Sequence, residues 1–179
     1  PIPGHTVAVV DGAGHPVPAG SVGEIAVRSP DPVMFLEYWK NPAATREKFI
    51  GRWGLTGDLA RMDEEGYLWF VGRRDDLITS AGYRIGPAEI EACIMKHPAV
   101  SMVAVIGQPD PLRTEIVKAF VVPVDGSDAC DETARDIQSF VKERLAAHEY
   151  PREIEFTDSL PMTATGKIMR RELRDKEIE

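Results

Sequence analysis

Gly72-Arg73-Arg74-Asp75-Asp76-Leu77-Ile78 sets four charges in a row between two apolar stretches, and it constrains the fold more than any other segment. Such a run resists burial, so it marks exposed chain between two separately packed pieces. The patterning differs on its two sides. Upstream come short strands and tight turns. His5 to Val10 is apolar, Asp11-Gly12-Ala13-Gly14 is a turn signal, and Val22 to Arg28 alternates like a half-buried strand. Asn41-Pro42 opens a short helix over Ala43 to Phe49, with Pro42 at its first position. Leu55 to Arg61, the acidic turn Asp63-Glu64-Glu65-Gly66 and Tyr67 to Val71 read as a hairpin. Downstream, Pro87 opens a helix in which Ile90, Cys93, Ile94 and His97 repeat at helical spacing until Pro98 stops it. Strands at Met102 to Ile106 and Ile116 to Val124 follow. Asp131 then caps a helix with the stripe Ile137, Phe140, Val141 and Leu145. A strand at Arg152 to Phe156 and a charged helix at Met169 to Lys176 close the chain. The expected fold class is α+β: a short-stranded β subdomain over residues 1–74, then a small α+β domain over residues 75–179.

An apolar share of 43% supports a true core. With 21 Lys and Arg against 29 Asp and Glu, the formal charge is −8, which gives no general attraction to nucleic acid or anionic membranes. Neither is expected as a partner. A phosphate-bearing ligand would need a local basic cluster, and the chain has two, at Arg73-Arg74 and from Lys167 to Arg174. Two cysteines without CxxC spacing fit a reduced, cytoplasmic setting rather than a disulfide framework or zinc site. No apolar run is long enough to span a bilayer, and no signal peptide is visible. Pro1-Ile2-Pro3-Gly4 leads straight into an apolar run, as expected for a sequence that starts inside a larger protein.

Three constellations can carry chemistry. In Thr56-Gly57-Asp58 an ionised carboxylate at a strand–turn junction can accept both hydroxyls of a ribose; the plainer reading is an ordinary turn. The segment from Gly72 through Ala81-Gly82-Tyr83-Arg84-Ile85-Gly86-Pro87 offers arginine forks for phosphate and ribose oxygens, with glycines that allow close backbone approach; a solvated linker is the alternative. In Leu160-Pro161-Met162-Thr163-Ala164-Thr165-Gly166-Lys167 a polar loop can deliver a lysine to phosphate oxygens that gain charge during reaction. It lacks the upstream glycine of a P-loop, and a loop lysine can equally be solvated.

Taken in order, the three segments resemble the adenylate-forming superfamily of acyl-CoA synthetases, peptide-synthetase adenylation domains and luciferases. Gly4 to Ile25 is similar to that family's Pro-Gly strand and Val-Gly-Glu-Ile strand, and Leu160 to Arg174 to its terminal lysine loop. The resemblance implies that residues 1–74 end the large N-terminal region and that residues 75–179 form the small mobile AMP-binding domain. It implies ribose binding by Asp58 with help from Arg73, a hinge at Asp75, and catalysis of adenylation by Lys167 at the α-phosphate. It also implies that Gly82 lines a pantetheine tunnel, with Ala81, Tyr83 and Arg84 at coenzyme A and Arg113, His148, Glu149 and Tyr150 as further contacts.

The implied reaction joins a carboxylic acid to coenzyme A through an acyl-adenylate, consuming ATP, releasing AMP and using magnesium whose ligands lie outside this chain. The family's phosphate-binding loop, adenine cup and acyl pocket lie upstream of Pro1, so the chain is expected to be a C-terminal fragment that is inactive alone and needs its missing N-terminal region. Asp76 to Pro87 looks more like acyl-CoA synthetases than adenylation domains, which carry a Lys-Ile-Arg-Gly stretch absent here. Glu115 to Pro123 and Tyr150-Pro151-Arg152 resemble the medium-chain acyl-CoA synthetase group. The competing readings are an adenylation domain that loads a carrier protein and a binding module without chemistry.

Overall fold

Two five-stranded sheets organise the chain, each in its own compact unit: Pro1–Asp75, and the residues from Asp76 onward. The structure is a computed structural model and describes residues 1–177. Its mixed α/β content, two largely antiparallel sheets with few helices, is the α+β class expected from the sequence.

In the first unit the strands are β1 (Val7–Val10), β2 (Val22–Arg28), β3 (Phe49–Ile50), β4 (Trp53–Met62) and β5 (Leu68–Arg73). Strand β4 is the hub: it pairs antiparallel with β2, β3 and β5, and β2 pairs with β1. Inward-facing Val10, Ala26 and Leu55 make a small core. Helix α1 (Pro42–Glu47) begins as its sequence dictates, with Pro42 in the first turn and the Asn41 side chain accepting the Ala44 N–H at 3.1 Å. It ends before Phe49, because Phe49–Ile50 are drawn into the sheet as β3.

The second unit is built on β8 (Val100–Asp110) and β9 (Thr114–Pro123), a long antiparallel ladder buried on both faces. Period-two geometry sends Val103, Val105, Val117, Ala119 and Val121 to one face. There they meet α2 (Pro87–Ile94) through Ile90, Cys93 and Ile94, and α3 (Asp131–Lys142) through Ile137 and Val141. Ala104, Ile106 and Phe120 face the other way, onto Leu160 and onto Leu173 of α4 (Arg170–Lys176). Double burial explains why both strands read as nearly continuous apolar runs. The free edge of β9 takes β10 (Glu153–Phe156) in parallel and then β6 (Ile78–Ser80), which pairs with β7 (Tyr83–Ile85).

Three expectations need correcting. Asp131 is not a cap: Cys130 holds that position without a side-chain bond, and Asp131 lies in the first turn, where its charge suits the helix dipole. His97 lies beyond the end of α2, with Nδ1 accepting the Ala99 N–H and Nε2 at 3.2 Å from Asp136. Residues 77–85 are not a solvated linker, because Ile78 and Ile85 are buried core residues and the segment is a hairpin.

Lys118 breaks the apolar pattern of β9. It points into the second core face, and its ammonium lies within 2.9 Å of Glu153, Glu155 and Glu177. Burial alone would depress its pKa, but hydrogen bonds to Glu155, Glu177 and Glu153 outweigh that and hold it well above the usual lysine value. The group therefore stays charged across the physiological range and bridges β9, β10 and the end of α4. Replacing it leaves three carboxylates facing one another. Lys118→Met is expected to destabilise the second unit by about 2–3 kcal/mol at pH 7. The deficit should shrink in high salt, which screens the like charges left behind. Amide NMR signals of β8 and β9 followed in urea at low and high salt check this; an equal deficit at both would show that packing, not charge, is lost.

Candidate functional site

Thr56, Gly57 and Asp58 lie within β4 rather than at its end. The ladder with β2 pairs Glu24 with Leu59 and Ala26 with Leu55, so residues 56–58 bulge opposite Ile25 alone. The Thr56 hydroxyl donates to the Ile25 carbonyl at 2.9 Å and accepts the Asp58 N–H at 3.1 Å. Gly57 has φ +83°, so the backbone favours glycine, and a Cβ there would meet Arg73 Nη2 at 2.8 Å and push the guanidinium off Asp58. The bulge re-aims Asp58. It pairs in register with Arg73 of β5, whose Nη1 donates to Asp58 Oδ1 at 2.7 Å. Among the described residues the second carboxylate oxygen accepts no hydrogen bond. Both side chains are partly exposed, so this is a presented pair rather than a core contact. Arg73 also lines a cavity of about 420 Å³ with Thr56, Lys48, Phe35 and Tyr38.

Glu24 holds this arrangement and was not singled out from sequence. Its buried carboxylate accepts the Gly57 N–H at 2.9 Å and an Arg74 N–H at 2.9 Å. The available signal was a charged residue at an inward-facing position of an alternating strand. Asp75 follows, exposed, 3.8 Å from Arg73.

In the second unit Ala81 and Gly82 are the two central residues of the β6–β7 hairpin, with φ +49° and +86° and Ser80 paired to Tyr83. Positive φ at both positions is the turn type that matches strand twist. A Cβ on Gly82 would meet nothing within 4 Å, so the backbone conformation alone requires glycine there. Ala81 has no such licence. Its N–H donates to the Arg113 carbonyl at 2.9 Å, and the next residue, Thr114, has φ +73°, a rare value for a β-branched side chain. Two strained residues thus adjoin one cavity of about 180 Å³, lined by Ala81, Tyr83, Arg113, His148 and Arg152. The Tyr83 and His148 rings stack with centroids 4.0 Å apart. Arg152, next to the buried Pro151, adds a second guanidinium that the sequence reading passed over.

Arg84 pairs with Thr79 and is not among the residues lining that cavity. Glu149 turns back to accept the Ala146 N–H at 2.9 Å. The Tyr150 ring packs against the core, with the Lys142 ammonium 4.2 Å from its centroid.

Lys167 closes a tight loop. Thr163 N–H donates to the Lys167 carbonyl at 2.8 Å, the Lys167 N–H donates to the Thr163 hydroxyl at 3.0 Å, and Gly166 turns the chain at φ +78°. Met162 and Ile168 bridge the base of the loop and pack with Leu160 and Leu173 on the β8–β9 ladder. The loop is rooted in a core while the lysine itself is exposed. Asp58 and Arg73 thus belong to the first unit and Lys167 to the second. Among the described residues no cluster of three or more His, Cys, Asp or Glu is placed to hold a metal ion.

Residues 89–167 match the AMP-binding enzyme C-terminal domain family. Over 99% of its length the chain is 47% identical to acetyl-coenzyme A synthetase of Bacillus subtilis (strain 168), and over 98% it is 46% identical to the human mitochondrial acyl-coenzyme A synthetase ACSM1. It spans 31% of the length of each. The crystal structure of the anthranilate CoA ligase AuaEII in complex with anthranoyl-AMP superposes with TM-score 0.84 at 40% identity, covering 99% of this chain and 34% of that one.

Strain at Ala81 gives a stability test. Ala81→Asn, which tolerates positive φ, should raise the unfolding free energy of the second unit by about 1 kcal/mol. The change should appear in the urea midpoints of β8 and β9 amides and not in tryptophan emission, since Trp39, Trp53 and Trp69 all lie in the first unit.

Proposed function

We propose that the chain, whose residues 89–167 match the AMP-binding enzyme C-terminal domain family, works as the C-terminal part of an AMP-forming acyl-CoA synthetase. The observation that carries this is the Lys167 loop: an exposed ammonium on a short hairpin whose base is anchored in a core. Such a group reaches into a neighbouring site without losing its own position. Its relatives are acyl-CoA synthetases of which it spans about a third, so the activity below belongs to the whole enzyme.

A carboxylate oxygen of the acid attacks the α-phosphorus of ATP; the bond to the bridging oxygen breaks and pyrophosphate leaves. Lys167 Nζ stabilises the charge that builds on the phosphoryl oxygens, and its contribution is electrostatic and positional. Asp58 accepts the ribose hydroxyls through its unpaired oxygen while Arg73 fixes the carboxylate and adds positive charge beside the nucleotide. These two residues suit a nucleoside. The described residues do not suit magnesium, so no step runs through it here. In the second half-reaction the coenzyme A thiol attacks the acyl carbon and AMP leaves. Gly82 in the β6–β7 turn offers a side-chain-free approach for the pantetheine arm, and Arg113, Arg152 and the Tyr83–His148 stack supply positive charge and an aromatic face for the rest of that ligand.

The two half-reactions draw on different faces of the second unit, and rotation about Asp75 exchanges them. Residues 1–74 then end the large N-terminal region, and residues from 75 onward form the mobile domain. A carboxylic acid, ATP and coenzyme A are the partners. A fatty acid of medium length is the proposed acyl group, on the likeness of Glu115 to Pro123 to that group. The free thiols of Cys93 and Cys130 suit the proposed cytoplasmic setting.

In the whole enzyme, Lys167→Ala should lower carboxylate-dependent pyrophosphate exchange by roughly 10²–10³-fold. Thioester formation from premade acyl-adenylate and free coenzyme A should fall less than about threefold. Loss of both halves together would remove the division of labour, and an unchanged exchange rate would remove Lys167 from the reaction.

A further inference from the structure

Asp75 is the middle residue of a single 3₁₀ turn, Arg74–Asp76, and its side chain is 71% exposed. Its two neighbours are held firmly, each within its own unit. Arg74 Nη1 reaches Glu24 Oε2 at 2.9 Å, and that carboxylate, only 9% exposed, also fixes the Gly57 N–H. On the other side Asp76 accepts Arg174 Nη1 at 3.1 Å and lies 3.5 Å from Arg170 Nη1. Arg170 in turn forks onto Glu91, Nε donating to Oε1 at 3.2 Å and Nη2 to Oε2 at 2.7 Å, and Glu91 accepts the Val105 N–H of the central ladder at 2.8 Å. Two residues beyond Asp76, Ile78 is fully buried.

Exposed ion pairs hold little, but these are partly buried, and the Glu91 fork has the two-point geometry that resists slippage. The second anchor has another property. Arg170 begins α4 and follows Lys167 by three residues, so the chain just after the pivot and the catalytic loop are fastened to one ladder.

We infer that the anchors Glu24–Arg74 and Asp76–Arg170–Arg174 confine the domain rotation to Asp75, and that the second also fixes the Lys167 loop relative to the pivot. These are positioning residues; none of them touches substrate. The inference rests on the hinge reading given above. Its mechanical content is that a one-residue pivot leaves only two soft dihedrals, so each orientation presents its face with little angular spread. Transfer chemistry needs that, because small misplacements of a catalytic group cost large factors in rate.

The test uses the whole enzyme with Cys130→Ser and spin labels at His15→Cys and Arg135→Cys, exposed positions in the two units. Distances are measured with acyl-adenylate bound. Arg74→Met and Asp76→Asn should each at least double the width of the distance distribution. Each should lower the rate of both half-reactions about tenfold while KM values stay within about twofold. Arg74→Lys and Asp76→Glu should recover most of the rate. A lower melting temperature with unchanged widths and rates would assign the anchors to stability alone and overturn the inference. Asp75→Pro separates the underlying reading, since it fixes one pivot dihedral. If Asp75→Pro blocks one half-reaction while Arg74→Met and Asp76→Asn stay narrow and active, the hinge stands and the anchors fall. If Asp75→Pro leaves both halves intact, the hinge reading falls and the inference with it.

Discussion

The ladder between β8 and β9 supports nearly everything in the second unit. Its odd-numbered residues bury one core against α2 and α3, and its even-numbered residues bury another against the lysine loop and α4. The loop that presents Lys167 is held by Leu160, Met162, Ile168 and Leu173 on the second face, so the exposed ammonium inherits its placement from Ala104, Ile106 and Phe120. Glu91, reaching the Val105 N–H of the same ladder, ties the start of the unit to it as well. A hairpin of hydrophobic strands is thus the common reference for Asp76 and for the Lys167 loop. The hydrophobic effect fixes two cores without direction, and the alternation of the strands tells each which side to occupy.

The first unit solves a different problem. Asp58 is a carboxylate that is partly exposed and still held in one orientation. The bulge at Thr56–Asp58 and the cross-strand Arg73 achieve that with backbone distortion, and Glu24 stabilises the distortion from beneath by accepting the Gly57 N–H. Glu24 is itself charged and buried, a costly arrangement unless its oxygens are bonded, and both are.

Patterns of period two and 3.6 were readable because they are local: β2, the β4–β5 hairpin, α2, β8, β9 and α3 sit close to where alternation and helical spacing put them. Two features escaped for opposite reasons. The β6–β7 hairpin hid because its turn carries alanine at a position that favours asparagine or glycine, so Ala81-Gly82 gave no hairpin signal. The charged run at Arg73–Asp76 was conspicuous, but charge alone does not say which residues are solvated: Arg73 to Asp75 are exposed, while Asp76 is partly buried among arginines from α4, nearly a hundred residues away in sequence. Asp58 and Arg73 were chosen from separate segments, and their pairing came from register, which no composition reports. Glu24 and Glu91 drew no role, and Arg170 was read only as part of a basic cluster although it pairs with Glu91 and Asp76, because a lone acid or base in a strand or helix acquires meaning only when its distant partner is known.

The double-sided ladder also limits how related sequences can diverge. Because side chains alternate, deleting Ala104 would transpose the two cores beyond the cut, sending Ile106 toward the helices and Val105 toward the lysine loop. Lys118, on the neighbouring strand, marks the frame: one step out of phase it would face the helix layer, away from its three glutamates. Insertions and deletions in this hairpin are therefore tolerable in pairs or in the turn around residues 111–113, and length variation that respects parity becomes a signature by which the architecture can be followed where identity has faded.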